Sequence, residues 1–521
     1  MTERVKYPIG QQDFKTLREL GYIYVDKTRF IEPILNGGQY YFLARPRRFG
    51  KSLFLSVLKY FFEGEKALFK GLYAESLDWD WRSYPVLRID LNTDRFAEPN
   101  RLNVALDDLF TEWETKYGVT YQSGEPSVRF RNIIKSAYEM TGERVVILVD
   151  EYDRPLVGNL NNDENFNHYR EALSTLYSNF KSSADYIRLV FLTGVSRFSK
   201  LSIFSDLNNL KDITFSDEFA DICGITENEL LRDFQQGIML LAEKNSLSYK
   251  DACLNLKRNY DGYRFAITGS EIYNPWSVLN AMNDGRIRNY WTNTGMPTVI
   301  AEALKRVDAD LEQLFNTHCD IDTLTGLDLQ SLDPLALLCQ TGYLTIKEYD
   351  PDTSLFTLGI PNQEVATGFF RVLLPYYVKV KRGSTESIVQ NIINSVLLGK
   401  PKEFMKYLET YFAGVPYDLK MDNENNFQNA FYILLSLIGI KTEAEVSTSN
   451  GRIDLLLKTP RYIYIIELKF DGSSLQALNQ IKEKGYARPY LADKRKIFLI
   501  GANFSSKTRI IENPEIEEIV L

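Results

Sequence analysis

The sequence predicts an α/β protein with two sheets. A parallel sheet carrying a phosphate-binding loop occupies the first half, a mainly helical region the middle, and a smaller α/β domain the C-terminus. Three stretches carry this reading. YYFLA (Tyr40–Ala44) runs through Arg45-Pro46-Arg47-Arg48-Phe49-Gly50-Lys51-Ser52 into the helical pattern LFLSVLKYFF. RVVILVDE (Arg144 to Glu151) is a continuous apolar run ending in two acids, as suits a central parallel strand covered on both faces. RIDLLL and YIYIIELKF, from residues 452 and 462, read as a hairpin that precedes an amphipathic helix.

Taken in chain order, the first of these is a strand, loop and helix of P-loop type. Gly50 lets the backbone approach phosphate, Lys51 reaches the β- and γ-phosphates, and Ser52 is placed to ligate Mg²⁺ while the helix N-terminus faces the anion. The full pattern GxxxxGK[ST] requires glycine at position 45, where Arg45 stands. PVLRIDLN (Pro85 to Asn92) reads as a further strand. At the end of the apolar run, Asp150 is expected to hold the Mg²⁺ shell and Glu151 to polarise the attacking water. IRLVFLT (Ile187 to Thr193) is another strand, followed by Gly194-Val195-Ser196-Arg197. Ser196 and Arg197 either sense the γ-phosphate or merely cap the next segment. Arg47 and Arg48 flank the cradle and either supply positive charge to the transition state or pair with Asp153 or other acids when nucleotide is absent.

RPRRFGKSL, VDEYDRPL, LTGVSRFSKLSIFSDLNNLKDIT and NYDGYRF resemble the bacterial AAA-ATPase-like family, whose members are often fused to a C-terminal PD-(D/E)xK domain. The resemblance continues through Tyr273-Asn274-Pro275-Trp276-Ser277, Tyr290-Trp291 with Thr294-Gly295, and Thr341-Gly342-Tyr343-Leu344. It implies a P-loop NTPase parallel sheet with a helical lid. Arginine in place of the first glycine is the usual form in that family, so the resemblance assigns Arg45 to the nucleotide loop together with Arg47 and Arg48. Asp26-Lys27-Thr28 also matches and is read as packing or positioning near the nucleotide.

In the middle, residues 226–259 carry apolar side chains at three- and four-residue spacing, which predicts helices of a lid. Residues 285–399 mix helix with one hairpin, turning at Asp350-Pro351-Asp352-Thr353. Trp276, Trp291, Tyr376 and Tyr377 read as core rather than as base-stacking platforms. Gly399-Lys400-Pro401 marks the expected join to the last domain.

There, Glu467 and Lys469 lie two apart and share a strand face. A turn at Thr459-Pro460-Arg461-Tyr462 sets residue 458 against 463 and hence Asp454 against Glu467, with Cβ atoms about 5 Å apart. Facing carboxylates repel unless a cation lies between them, and oxygen donors of this kind suit Mg²⁺ or Mn²⁺. The other reading of the same residues is a pair of rim charges with Lys469 neutralising one. Ser473 is a helix cap with Gln476 three residues on, and the helix brings Gln480 near the strand end. This order, with a helix from Phe427 to Ile438 and Glu445 before the Asp454 strand, resembles the PD-(D/E)xK nuclease superfamily. The resemblance implies that Asp454 and Glu467 bind the metal, Lys469 assists the water and Gln480 supports the site. Glu424 matches an acid that some members carry on the first helix. Ile453 stands where the superfamily name has proline.

A chain of 521 residues is too long for one core, and the expected domains are 1–225, 226–400 and 401–521. Cys223, Cys253, Cys319 and Cys339 show no CxxC spacing, which argues against zinc and disulfide frameworks. His168 and His318 are the two histidines, too few for a histidine metal cluster. A net charge of -8 excludes a wholly basic, nucleic-acid-coating surface. Local basic groups remain, at Lys379, Lys381 and Arg382 and at Lys482, Lys484, Arg488, Lys494, Arg495 and Lys496, and these are either solvated faces or nucleic-acid contacts. The start lacks a signal-peptide core and no apolar run is long enough to span a membrane, so a cytoplasmic protein is expected. The expected function is ATP binding and hydrolysis controlling a Mg²⁺-dependent phosphodiesterase that acts on DNA. The alternative is a nucleotide-dependent interaction protein with a non-cleaving nuclease-like domain. ATP, Mg²⁺ and DNA are the expected partners, and a homo-oligomer is open.

Overall fold

Continuous apolar runs bury both faces of a strand, and the first sheet is built from them. Its strands are β1 (Tyr40–Ala44), β2 (Val86–Asp90), β3 (Val145–Asp150), β4 (Ile187–Gly194) and the short β5 (Lys211–Asp212). They lie in the order β2-β3-β4-β1-β5, all pairs parallel. Every residue of β1 and β3 is buried. Parallel neighbours need crossovers, here the helices Lys51–Phe62, Arg101–Lys116, Pro126–Thr141 and Asp163–Ser182. Because the chain leaves β1 for the far edge at β2 and returns to β1 through β4, the carboxyl ends of β1, β3 and β4 face one crevice, the usual ligand position in open α/β sheets.

This computed structural model describes residues 5–519 except 93–95, 97, 99, 121–123, 160–161, 198–208, 293–299, 301–303, 305–310, 312–313, 315–316, 326–333, 378–383, 414–431, 435, 438–442, 450–451, 506 and 509.

The helices expected after residue 226 are present: Glu227–Asp233, Gln235–Lys244 and Tyr249–Tyr260, followed by Pro275–Asp284. Thr226 and Glu229 form a reciprocal capping box at the first. The strands β6 (Ile225–Thr226) and β7 (Ile272–Tyr273) pair antiparallel beneath them. Leu230, Phe234, Ile238, Leu241, Leu256 and Val278 form their shared core. The strands β8 (His318–Cys319), β9 (Thr345–Asp350) and β10 (Leu355–Gly359) make a small antiparallel sheet. The Asp350–Thr353 hairpin is therefore where expected, whereas β8 is too short to register as a sequence pattern.

The second large sheet comprises β11 (Glu443–Ser449), β12 (Arg452–Lys458), β13 (Tyr462–Phe470), β14 (Lys496–Phe504) and β15 (Ile511–Ile519), in that order. All pairs are antiparallel except β13 with β14. The β12–β13 register sets Lys458 against Ile463 and Asp454 against Glu467, as the turn predicts. Its closure differs from a carbonyl-closed turn: the Thr459 hydroxyl accepts the N–H of Tyr462 at 2.8 Å and of Arg461 at 3.3 Å.

The chain divides into two compact units, residues 1–296 with 315–364, and residues 297–314 with 365–521. These differ from the expected three segments. Residues 226–296 belong with the parallel sheet, and 365–400 with the C-terminal sheet. Gly399, expected as a join, lies inside the second unit. It has φ 72° between the helices Ser384–Leu397 and Pro401–Ala413, and a Cβ there would fall 2.4 Å from the Tyr462 ring. Tyr464 donates its hydroxyl to the Val396 carbonyl at 2.7 Å, which ties the first of these helices to β13.

Candidate functional site

In the first unit the loop after β1 is anchored from inside. Phe49 is buried against the rings of Tyr263 and Phe265, with centroids 4.8 and 5.3 Å away. Arg48 at φ 68° and Gly50 at φ 103° bend the backbone into the helix Lys51–Phe62. Gly50 is its N-cap and no side chain caps it, so the first-turn N–H groups are available to an anion. Lys51 is 4% exposed, and its ammonium donates back to the Arg45 carbonyl at 2.9 Å and the Pro46 carbonyl at 3.3 Å. Ser52 follows it in the first turn.

Arg45 corrects the expectation drawn for it. Its guanidinium is buried away from the loop and donates to the carbonyls of Ala44 (2.9 Å), Thr214 (2.6 Å) and Phe219 (3.1 Å), over the face of Phe265. Burial lowers its pKa to about 10. It braces the loop from behind. Burial also lowers the pKa of Arg47, and the Arg48 guanidinium stacks on Trp276.

Across the crevice, Asp150 is 1% exposed. Its carboxylate accepts the Thr193 hydroxyl at 2.7 Å and lies 3.5 Å from the Arg88 guanidinium. Asp90 is its register partner on β2, and burial followed by the Asp150 charge raises the Asp90 pKa. Glu151 is half-buried in a left-handed conformation, φ 49°, which for a non-glycine residue costs about 1–3 kcal/mol. Asp153 is buried, and burial pushes its carboxyl up to about 6. It accepts the N–H of Val195 at 3.1 Å and of Ser196 at 2.6 Å. Against the cost of burial and the nearby Arg154, Arg47 also feels the charges of Glu151 and Asp153, which both favour its protonated form. Gly194 makes the contact of Asp153 with Val195 and Ser196 possible, because a Cβ there would lie 2.7 Å from the Tyr152 ring. Ser196 is thus placed by Asp153, and the Arg197 guanidinium is held by Asp212 at 2.8 Å. Asp90, Arg88 and Thr193 escaped the sequence reading. The register opposite Asp150 would have flagged Asp90.

In the second unit, Glu467 is fully buried. Lys469 reaches it at 3.1 Å and donates to the Gln480 side-chain carbonyl at 2.5 Å. The helix Ser474–Glu483 that carries Gln480 starts at Ser473, whose hydroxyl accepts the Gln476 N–H at 3.2 Å. Its seat depends on Gly501, the register partner of Glu467 on β14. A Cβ at Gly501 would come within 2.3 Å of the Ser474 carbonyl and 2.4 Å of the Leu478 nitrogen. Asp454 and Glu445 lie on β12 and β11 by backbone position. Glu424 and most of the expected helix at 427–438 fall outside the described residues.

The chain matches the model of a predicted AAA-ATPase over residues 8–204 and that of the PD-(D/E)XK nuclease superfamily over 422–514. It is also 34% identical over 531 residues to a protein of Azotobacter chroococcum mcd 1 described as "Uncharacterized protein in vnfD 5'region", with 99% of each chain covered. The chain belongs to the AAA-ATPase-like family with a C-terminal PD-(D/E)XK domain.

In the AAA-ATPase-like domain the residues present fit a nucleotide with its magnesium ion, since a hydroxyl at Ser52 and a carboxylate at Asp150 are oxygen donors. In the PD-(D/E)XK domain the opposed positions of Asp454 and Glu467 offer oxygen donors of the same kind. Among the described residues, no three His, Cys, Asp or Glu side chains converge as a metal cluster. Of the C-terminal basic residues, Lys482 pairs with Glu517 at 2.5 Å, Lys496 with Glu518 at 2.9 Å, and Arg495 with Asp493 at 2.6 Å. Lys379, Lys381 and Arg382 lie outside the described residues. No helix among the described residues is long and apolar enough to cross a membrane.

Proposed function

We propose that the AAA-ATPase-like domain binds and hydrolyses ATP, and that its nucleotide state controls a Mg²⁺-dependent phosphodiesterase in the PD-(D/E)XK domain, with DNA the favoured substrate. The observation that carries this reading is the hydrogen-bonded series Glu467–Lys469–Gln480, set opposite Asp454 in a chain that also holds Lys51, Asp150 and Glu151.

On the nucleotide side, Lys51 exchanges the Arg45 and Pro46 carbonyls for phosphate oxygens, which bear more charge and hold it more strongly. A magnesium ion at Ser52 and Asp150, when bound, neutralises phosphate charge. Thr193 and Arg88 hold Asp150 in place, and Glu151 polarises water from its fixed position at the strand end. A small, mostly apolar cleft of about 90 Å³ adjoins Gly50 and is lined by Tyr24, Val25, Leu53, Pro275 and Leu279. Lys27 forms part of its wall and is held by Glu229 at 2.7 Å in a buried ion pair.

On the nuclease side, a metal at Asp454 and Glu467, when bound, acidifies water and stabilises charge on the phosphate. Lys469 orients that water or takes its proton, and Gln480 fixes the lysine. The test is incubation of purified protein with plasmid and linear DNA in Mg²⁺, with and without ATP. Asp454→Ala and Lys469→Ala abolish cleavage and keep ATP binding; cleavage that survives both changes overturns the site. A second reading, a nucleotide-dependent interaction protein that does not cut, draws support from the ion pairs that Lys482, Arg495 and Lys496 make with acids of their own domain. Tight ATP binding with no cleavage of DNA or RNA selects it.

A further inference from the structure

The outer face of the P-loop is held by residues that the chemistry above does not use. Trp291, 1% exposed, donates its indole N–H to the Arg47 carbonyl at 3.0 Å. Pro46 packs on Gly342, where φ is 88° and a Cβ would lie 2.8 Å from the proline ring and 3.4 Å from the Trp291 ring. The Arg48 guanidinium lies 4.5 Å from the centre of the Trp276 ring. Trp276 in turn donates to the Tyr290 carbonyl at 3.4 Å. Arg47 and Arg48 thus meet aromatic side chains, and Pro46 packs on the neighbouring Gly342.

Glu364 holds the segments that carry these aromatic side chains. Its carboxylate is 1% exposed and accepts the Ser277 hydroxyl at 2.6 Å, the Trp291 N–H at 2.7 Å and the Tyr290 N–H. A buried carboxylate is tolerated only with donors of this kind around it. The same two residues mark where the chain changes unit. The first unit breaks off after residue 296, a few positions beyond Trp291, and again after Glu364 itself.

We infer that Trp291 and Glu364 are positioning residues that couple occupancy of the P-loop to the C-terminal unit. The indole reads the Arg47 carbonyl, and the Glu364 carboxylate carries a change there to both points at which the chain leaves the nucleotide-binding unit. This rests on the reading of the loop as a nucleotide site. When phosphate draws Lys51 from the Arg45 and Pro46 carbonyls, the peptides beside Arg47 lose a cationic partner and shift. Trp291 and Glu364, both buried and closely packed, leave little slack to absorb that shift, so the contact changes arrangement instead.

The experiment uses the full chain. ATP affinity is measured by titration, and amide hydrogen exchange of the β12–β13 hairpin is followed with and without ATP. Trp291→Phe keeps a ring and removes the N–H; Glu364→Gln keeps the shape and removes the charge. Wild type is expected to bind ATP and to show an ATP-dependent change in exchange at the hairpin. Both variants are expected to bind ATP within about threefold of wild type and to lose most of that change. A folded variant that binds ATP and transmits the full change overturns the inference, as does a wild type that binds ATP without any response at the hairpin. A wild type that does not bind ATP at all fails at the titration step, which sinks the nucleotide reading together with the coupling that depends on it.

Discussion

Arg45 occupies the position where the P-loop pattern has glycine, and its environment reverses the effect that the pattern alone would assign to a change there. Arg45→Gly completes GxxxxGK[ST] yet strips donors from the carbonyls of Thr214 and Phe219. We expect a loss of about 2–4 kcal/mol with no gain in nucleotide affinity, measured by denaturant titration and by ATP binding. Lys51→Ala is expected to abolish ATP binding, and binding that persists refutes the loop assignment. Glu151→Gln is expected to keep ATP bound and slow hydrolysis by at least about a hundredfold, read from single-turnover kinetics. The placement of Lys51 at a helix start and of Asp150 and Glu151 at a strand end was legible because it is local to the sequence. Asp153 was visible, but its partner was not, since the N–H groups of Val195 and Ser196 come from another strand's end.

Secondary-structure elements were read most securely where periodicity and turn chemistry agree. The Thr459–Tyr462 reversal and the period-two alternation together placed Asp454 against Glu467, and the register of β12 and β13 agrees. The sequence reading did not foresee Gly501. It lies on a strand that reads as ordinary core, and its lack of a side chain matters only because a helix distant in sequence packs on it. Gly501→Val is expected to push the helix Ser474–Glu483 off β14, at a cost of about 1–3 kcal/mol. It should also separate Gln480 from Lys469. A lower melting temperature together with reduced cleavage, while ATP binding is unchanged, is the predicted outcome.

For the whole molecule, three buried acids contribute a pH dependence. Asp153 and Asp261 rise from 3.8 to about 6 and Glu364 from 4.5 to about 7, each chiefly through burial. The folded state therefore binds more protons than the unfolded chain between these limits, so stability falls as pH rises from about 4 to about 7 and levels off above. Glu364→Gln should flatten the part of that slope between about 4.5 and 7, checked by melting temperature against pH. The chain groups into two compact units, residues 1–296 with 315–364 and residues 297–314 with 365–521, alongside the expected segments 1–225, 226–400 and 401–521. Mass in solution with and without ATP will give the oligomeric state.

By itself the sequence determined the two α/β sheets, the strand, loop and helix that carry Lys51, the acids at the end of β3 and the facing register of Asp454 and Glu467. All of these depend on backbone periodicity and on residues near one another along the chain. Only the tertiary structure decided that Arg45 is a buried brace, that Asp153 holds the Ser196 loop, that Gly501 seats the Gln480 helix and that Glu364 clamps Trp291 to the P-loop. Each of these is set by which distant surface comes to cover a polar group. Burial makes a polar group's partner obligatory, and local sequence does not name that partner.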